Sequence, residues 1–307
     1  MTRLTEAAAG VYVIAATPFL PDGALDFDSL DRMTDFYLSA GATGLTILGM
    51  MGEAPKLTAA ESQAVVARVL ARVNGRVPVV VGVSAPGFAA MAELTAAVMD
   101  AGAAGVMIAP PSTLRTDDQI VGYYHNAAGF IGDAPFVLQD FPLATGVQIS
   151  VPVIARIVAD LPSCVCLKHE DWPGLDKISA LRAPGRLDRR ISILCGNGGV
   201  FLPEEMARGA DGAMTGFAYP EMMRDVVRFM GAGNPDRAQD IFDAYLPLAR
   251  YEQQPGLGLA VRKYVMMRRG IIAHDTQRRP GAALGPAAQA EVDRLIARQT
   301  RRLAELG

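Results

Sequence analysis

Lysine is scarce in this chain. Of its 29 lysine and arginine residues only Lys56, Lys168, Lys177 and Lys263 are lysine, so the surface positive charge is carried by arginine. Cysteine is scarcer still, with three in 307 residues. Cys164 and Cys166 stand two apart in one apolar run, where their side chains share a face of a strand, and Cys195 ends another run. Adjacent same-face positions make no disulfide framework, and no second pair of the CxxC type completes a zinc site, which leaves three small core fillers in a reducing compartment. Charge of one sign is lacking too: the net charge is -3 and no basic stripe with interleaved aromatics occurs, which removes the electrostatic case for nucleic acid. No apolar run is long enough to span a membrane, and the opening Met1-Thr2-Arg3-Leu4-Thr5-Glu6 lacks the charged-then-apolar layout of a secretory signal. The expectation is a cytoplasmic protein with neither a membrane nor a nucleic-acid partner. Low-complexity segments are absent, and the length suits one large domain with a sizeable core, or one and a half.

What the chain does have is a repeated unit. Residues 11–16 read as a buried strand, stopped by Thr17-Pro18 and the turn Pro21-Asp22-Gly23, and a helix follows with Asp26 or Asp28 as its cap. Residues 44–49 form a second strand, and after the loop 50–57 the spacing Thr58-x-x-Glu61 is that of a capping box. Strands at 77–83, 105–109, 136–140, 164–168, 191–195 and 212–215 then alternate with further helices. Continuous apolar strands strictly alternating with amphipathic helices make a parallel sheet covered by helices, and eight of them close into a (β/α)8 barrel. The rival, an open doubly wound sheet, wants a glycine-rich loop after its first strand, where this chain has Thr17-Pro18-Phe19. Beyond about Asn234 the pattern is wholly helical, with helices expected at 235–252, 257–269 and 285–306. The division is a barrel over 1–233 and a C-terminal helical region over 234–307.

A barrel of this kind carries its chemistry at the carboxyl ends of its strands. The residues there are Thr17, the loop Gly49-Met50-Met51-Gly52-Glu53, Ser84, the loop 110–113, Gln139 with Asp140, Lys168 with His169, Gly196-Asn197-Gly198-Gly199, and Thr215. Lys168 ends the apolar run Cys164-Val165-Cys166-Leu167 and, apart from loop residue Lys56, is the only lysine so placed. Such a lysine is either half of a structural ion pair with a nearby carboxylate or an amine used in its neutral form. Burial favours the neutral form, and only the unprotonated amine attacks a carbonyl to give a Schiff base. The residues alone leave both readings open.

Their order and spacing carry a resemblance. Thr17-Pro18-Phe19, Gly41-Ala42-Thr43-Gly44, Gly49-Met50-Met51-Gly52-Glu53, Leu57-Thr58-x-x-Glu61, Pro142 with Thr145-Gly146, Lys168, Gly196, Leu202-Pro203 and Gly209-Ala210-Asp211-Gly212 together form a specific set. Over nearly its whole length the chain resembles the dihydrodipicolinate synthase / N-acetylneuraminate lyase family of class I aldolases. The resemblance implies a barrel with a C-terminal helical extension, assembled as a homo-oligomer, tetramer or dimer. It also implies a lysine that forms a Schiff base with pyruvate or another 2-oxo acid, without a metal or an organic cofactor. Lys168 matches that lysine, the N–H groups of Met50 and Met51 match those that hold the acid's carboxylate, and the loop with Gly196 and Asn197 matches one that contacts substrate hydroxyls. Read without the resemblance, that loop could instead cradle a phosphate.

Three positions depart from the synthase pattern. Gln139 stands where the family's proton-relaying tyrosine is expected, and an amide cannot give and recover a proton as a phenol does. The loop Pro110-Pro111-Ser112-Thr113 lacks the tyrosine that synthases lend to a neighbouring subunit, and Leu143-Ala144-Thr145-Gly146 lacks the arginine for the aldehyde's carboxylate. Proton transfer then falls to other groups. His169 and Asp140 are the candidates beside the lysine, although neighbouring strand residues point to opposite faces, which favours a structural role for His169. The expected function is a lyase, aldolase or dehydratase, acting through Lys168 on pyruvate or another 2-oxo acid together with an aldehyde or sugar-acid. The alternatives are the synthase proper and a catalytically silent barrel that binds a 2-oxo acid.

Overall fold

The computed structural model describes residues 3–172 and 174–307. Eight parallel strands close into a barrel, each paired with its sequence neighbours and the last with the first. They are β1 (Gly10–Ile14), β2 (Gly44–Ile47), β3 (Val79–Gly82), β4 (Gly105–Ile108), β5 (Phe136–Asp140), β6 (Cys164–His169), β7 (Ser192–Cys195) and β8 (Gly212–Thr215). Around them run α1 (Phe27–Ser39), α2 (Ala59–Val73), α3 (Phe88–Asp100), α4 (Asp117–Ile131), the short α5 (Pro142–Thr145), α6 (Val151–Asp160), α7 (Leu175–Arg182), α8 (Leu202–Ala207) and α9 (Pro220–Gly231). The C-terminal region adds α10 (Pro235–Glu252), α11 (Gly258–Arg268) and α12 (Pro286–Glu305). The helix starts follow local chemistry. Asp26 caps α1 by accepting from the Ser29 N–H, and the capping box of Thr58 and Glu61 opens α2 as the sequence indicates. The single turn α5 has no sequence periodicity to announce it, only a proline at its start.

Strand alternation decides what fills the barrel. Tyr12 and Ile14, Val80, Met107, Val137, Cys166, Leu194 and Met214 form one buried cluster in its interior. Leu4 joins that cluster, and its N–H donates to the Ala104 carbonyl at 2.8 Å. Each such side chain contributes roughly 1.5–3 kcal/mol when fully buried. Gly44 makes room for the Tyr12 ring, which would lie 2.4 Å from any Cβ there, and burial pushes the Tyr12 phenol up to about 12. Cys164, Cys166 and Cys195 are buried free thiols, as expected of core fillers. Two residues beyond Val137 and Cys166 come Gln139 and Lys168, which face each other in the β5–β6 register. They form the first polar ledge above the apolar filling.

The C-terminal helices pack on the barrel helices and share their core: Phe242, Tyr245, Val261 and Val265 belong to the same buried cluster as α1, α2 and α9. Ile241, Val265 and Met266, apolar residues of these helices, do not form a face open to another subunit. They are buried within the protomer, with Leu246 packed against the same cluster. No described helix is long and apolar enough to cross a membrane.

Candidate active site

Lys168 lies on β6 with its Nζ 2.9 Å from Glu170 Oε2. Gln139 donates its Nε2 to the same carboxylate oxygen at 2.7 Å. All three side chains are buried, Lys168 and Glu170 at 5% exposure and Gln139 at 3%. Glu170 follows Lys168 by two residues and therefore returns to the lysine's face. It fits because Gly196 has no side chain: a Cβ there would lie 2.1 Å from Glu170 Cγ. Asn197 holds the same segment by donating Nδ2 to the Glu170 carbonyl at 3.1 Å. Of the two readings the sequence leaves open for Lys168, the carboxylate partner is present and buried with it. That carboxylate can also take a proton from the amine and return it, which the apolar run alone could not do.

The three residues open onto a cavity of about 550 Å³, whose wall includes Met50, Met51, Phe141, Leu143, Ala144, Asn197 and Thr215. Met50 and Met51 sit in a tight turn flanked by Leu48 and Glu53 in the left-handed region, at φ 53° and 56°. The N–H groups of Gly52 and Glu53 turn back onto the carbonyls of Gly49 and Met50, whereas those of Met50 and Met51 have no acceptor among the described residues. Two free N–H groups beside a lysine suit a carboxylate. The turn is fixed from beneath. Thr17 donates its Oγ1 to the Gly52 carbonyl at 2.6 Å, and Glu53 accepts from Lys263 at 2.5 Å, from Lys56 at 2.8 Å and from the Arg278 N–H at 3.1 Å. Lys263 is wholly buried, and also donates to the carbonyls of Thr17 and Thr276. Burial lowers its pKa to about 8 against the pull of Glu53.

Several expected site residues stand back from the cavity. Thr17 and Gly49 shape the turn, and Gly196 clears the path of Glu170, without reaching the wall themselves. His169 and Asp140 alternate onto the outer face of the barrel and do not line the cavity, so the proton-transfer expectation for them is corrected. Asp140 pairs with Lys177 at 2.8 Å and lies 3.9 Å from His169 Nδ1, while His169 Nε2 donates to the Gly174 carbonyl at 3.0 Å. Burial, with Lys177 adding to it, lowers His169 to about 4, and burial raises Asp140 to about 6 against the opposing charge of Lys177. The phosphate reading of the loop after β7 is corrected as well. The N–H groups of Gly198, Gly199 and Val200 already donate to Thr215 Oγ1, the Gly196 carbonyl and the Asn197 carbonyl.

Sequence reasoning missed two contributions. Glu170 is not among the residues singled out from the sequence, although period-two alternation places it on the lysine's face. The C-terminal region also reaches the cavity, through Gln253, Gln254, Leu259, Arg262, Gln277 and Pro280 among others. Nothing in the sequence signals which turn of an appended helical region covers a barrel mouth. Among the described residues, no three or more His, Cys, Asp and Glu side chains converge as metal ligands.

Fold and site together define a class: a (β/α)8 barrel with a buried lysine and carboxylate at its mouth beside a turn presenting two free N–H groups. The sequence model of the "Dihydrodipicolinate synthetase family" matches residues 7–299, and the chain belongs to that family. As a member it is a class I lyase that acts on a 2-oxo acid through a Schiff base. It is similar to the L-2-keto-3-deoxyarabonate dehydratase of Azospirillum brasilense, 31% identical over 92% of each chain. It is 34% identical to the 4-hydroxy-tetrahydrodipicolinate synthase of Sorangium cellulosum, over 73% of this chain and 74% of that one. Among solved structures it is similar to a dihydrodipicolinate synthase from Rhodopseudomonas palustris, with a TM-score of 0.95, 56% identity, and 97% of this chain and 100% of that one covered.

Proposed function

We propose that the protein is a dehydratase of a 2-keto-3-deoxy sugar acid that forms its imine on Lys168 and moves its protons with Glu170. The observation that carries this reading is the contact of Glu170 with both Lys168 and Gln139, at 2.9 and 2.7 Å, where a synthase would have a phenol. Glu170 takes a proton from the lysine, and the neutral amine bonds to C2 of the acid. The former carbonyl oxygen leaves as water, receiving one proton from the attacking nitrogen and the other from Glu170, which is a carboxylate again. The resulting iminium is an electron sink, so loss of a C3 proton to the Glu170 carboxylate gives an enamine. The C4 hydroxyl then leaves with that proton, returned by Glu170, as the second water. Hydrolysis of the imine consumes one water, so the net change is loss of one. The acid's carboxylate is held by the Met50 and Met51 N–H groups, and Gln139 keeps Glu170 aimed at the reacting carbons.

The synthase reading is kept alive by the 56% identical structure described as a dihydrodipicolinate synthase. Against it stand Gln139 in place of a phenol and Ala144 in place of an arginine, both on the cavity wall. The deciding experiment gives the protein 2-keto-3-deoxy-L-arabonate in one assay and pyruvate with aspartate semialdehyde in another. Turnover of the first and not the second is expected, and the reverse would replace this reading with the synthase. Absence of any turnover or imine would favour the silent barrel. We further propose a homo-oligomer, supported by family membership, which light scattering at micromolar concentration would reject by returning a monomer. A cytoplasmic location, where the three free thiols stay reduced, completes the reading.

A further inference from the structure

The cavity wall away from the Met50 turn carries an unusual set of side chains. Gln139, Asn197, Gln253, Gln254 and Gln277 all line it. Four of these amides are oriented by the protein itself. Gln139 Nε2 donates to Glu170 at 2.7 Å, Asn197 Nδ2 to the Glu170 carbonyl at 3.1 Å, Gln254 Nε2 to the Tyr251 carbonyl at 2.8 Å and Gln277 Nε2 to the Ala282 carbonyl at 2.8 Å. Each partner is an acceptor only, so the NH₂ must face it, which fixes the amide against a flip. In every case the amide oxygen is the atom left without a donor among the described residues. Gln253 is freer: its amide makes no hydrogen bond among the described residues and rests on Gly198, where a Cβ would come within 2.1 Å of Nε2.

The cations of the same wall are engaged. Lys56 is held by Glu53 and the Arg278 carbonyl, both at 2.8 Å. Arg262 is bonded through Nε to Glu252 at 2.6 Å and through Nη2 to the Gly216 carbonyl, while its Nη1, which has no hydrogen-bond partner among the described residues, is buried against Gly216. The buried Arg262–Glu252 pair also anchors the end of α10, from which Gln253 and Gln254 project.

We infer that these amide oxygens, with Gln253 foremost, bind the hydroxyl groups at the far end of the substrate, so that the C-terminal region selects a polyhydroxylated 2-oxo acid and rejects one that ends in a second carboxylate. Hydroxyls donate to such oxygens and can accept from a spare amide N–H, whereas a carboxylate presents only acceptors, cannot use the oxygens, and meets only cations already paired with carboxylates. The inference rests on the Schiff-base reading of Lys168.

The test uses pyruvate and three five-carbon 2-oxo acids that differ only at the far end: 2-keto-3-deoxy-L-arabonate, unsubstituted 2-oxopentanoate and 2-oxoglutarate. Each is titrated against the protein, the imine is trapped with borohydride, and the adduct is quantified by mass spectrometry. The hydroxylated acid should half-saturate at a concentration about tenfold or more below the other two five-carbon acids, and Gln253→Leu should raise that concentration about tenfold while pyruvate moves less than about twofold. Gln253→Lys, which keeps a polar side chain over Gly198, should shift the preference towards 2-oxoglutarate. Equal half-saturation by the three five-carbon acids, or a Gln253→Leu effect as large on pyruvate as on the hydroxylated acid, overturns the inference and leaves the Schiff-base reading standing. No adduct with any acid on the unmodified protein overturns both.

Discussion

Replacing Glu170 by glutamine separates the two things its position allows it to do. The substitution is nearly isosteric, so the side chain still passes over Gly196 and still meets Gln139 and Lys168. It removes the charge and the capacity to carry a proton. If Glu170 moves protons, turnover should fall about 10²- to 10⁴-fold, the range a positioned acid–base group supplies. The nucleophile itself is left in place, because the substitution does not touch the Lys168 amine. Borohydride trapping of pyruvate should therefore survive, with the trapped fraction at pH 7 undiminished after long incubation. Removing one partner of this buried pair should cost about 3–5 kcal/mol of stability in a urea titration. The assay is kcat for dehydration beside the trapped fraction of the same sample. Turnover within tenfold of the parent would refute the proton-transfer role, and equal loss of trapping and turnover would reduce Glu170 to a residue that positions the amine.

Three further outcomes are expected. Gln139→Tyr should not confer condensation of pyruvate with aspartate semialdehyde, because Ala144 and the loop 110–113 still lack the other synthase contacts; a large gain from this one change would restore the synthase reading. Lys263→Met removes the bonds that tie Glu53 to Thr17 and Thr276, so the Met50–Met51 turn should loosen and KM for the 2-oxo acid rise about tenfold with little change in kcat; a fall in kcat at constant KM would assign the lysine elsewhere. The third concerns acid stability. His169 is held at about 4 against 6.5 in the unfolded chain, so between those values the unfolded chain binds the proton and the fold does not, and stability falls as pH drops through that window. Asp140, held at about 6 against 3.8, acts in the opposite direction over an overlapping window, because there the folded state binds the proton. His169→Asn removes only the first effect, so between pH 7 and pH 4 the variant should lose up to about 3 kcal/mol less stability than the parent. Parallel losses in urea midpoints for the two proteins would contradict the buried neutral imidazole.

The barrel was legible because each strand is a short apolar run between turn signals, and β5 and β8 begin and end at the residues expected. Helix α10 likewise spans 235–252, since Asn234 and Pro235 mark its start. Most other strands were expected one to three residues too long, as at 11–16 against Gly10–Ile14, because buried loop residues such as Ala15 and Ala16 are as apolar as the strand they follow, while β6 runs one residue beyond the expected 164–168. At the site, Lys168 and Gln139 were legible from their place past an apolar run, and their facing each other follows from the β5–β6 register. Glu170 was legible too, had alternation been continued for two more residues. The amides of Gln253, Gln254 and Gln277 were not, because their approach to the cavity depends on how α10 and α11 dock, and an exposed glutamine looks alike in sequence wherever it points.

The central claim is that Lys168 is the amine that bonds to the substrate. The direct measurement is to incubate the protein with pyruvate and with longer 2-oxo acids, reduce with borohydride, digest, and locate the added mass. The adduct is expected on the peptide containing Lys168, and its absence is expected in Lys168→Arg, whose guanidinium stays protonated and cannot attack a carbonyl. An adduct on Lys56, whose amine also borders the cavity, or no adduct with any of the acids, would contradict the account.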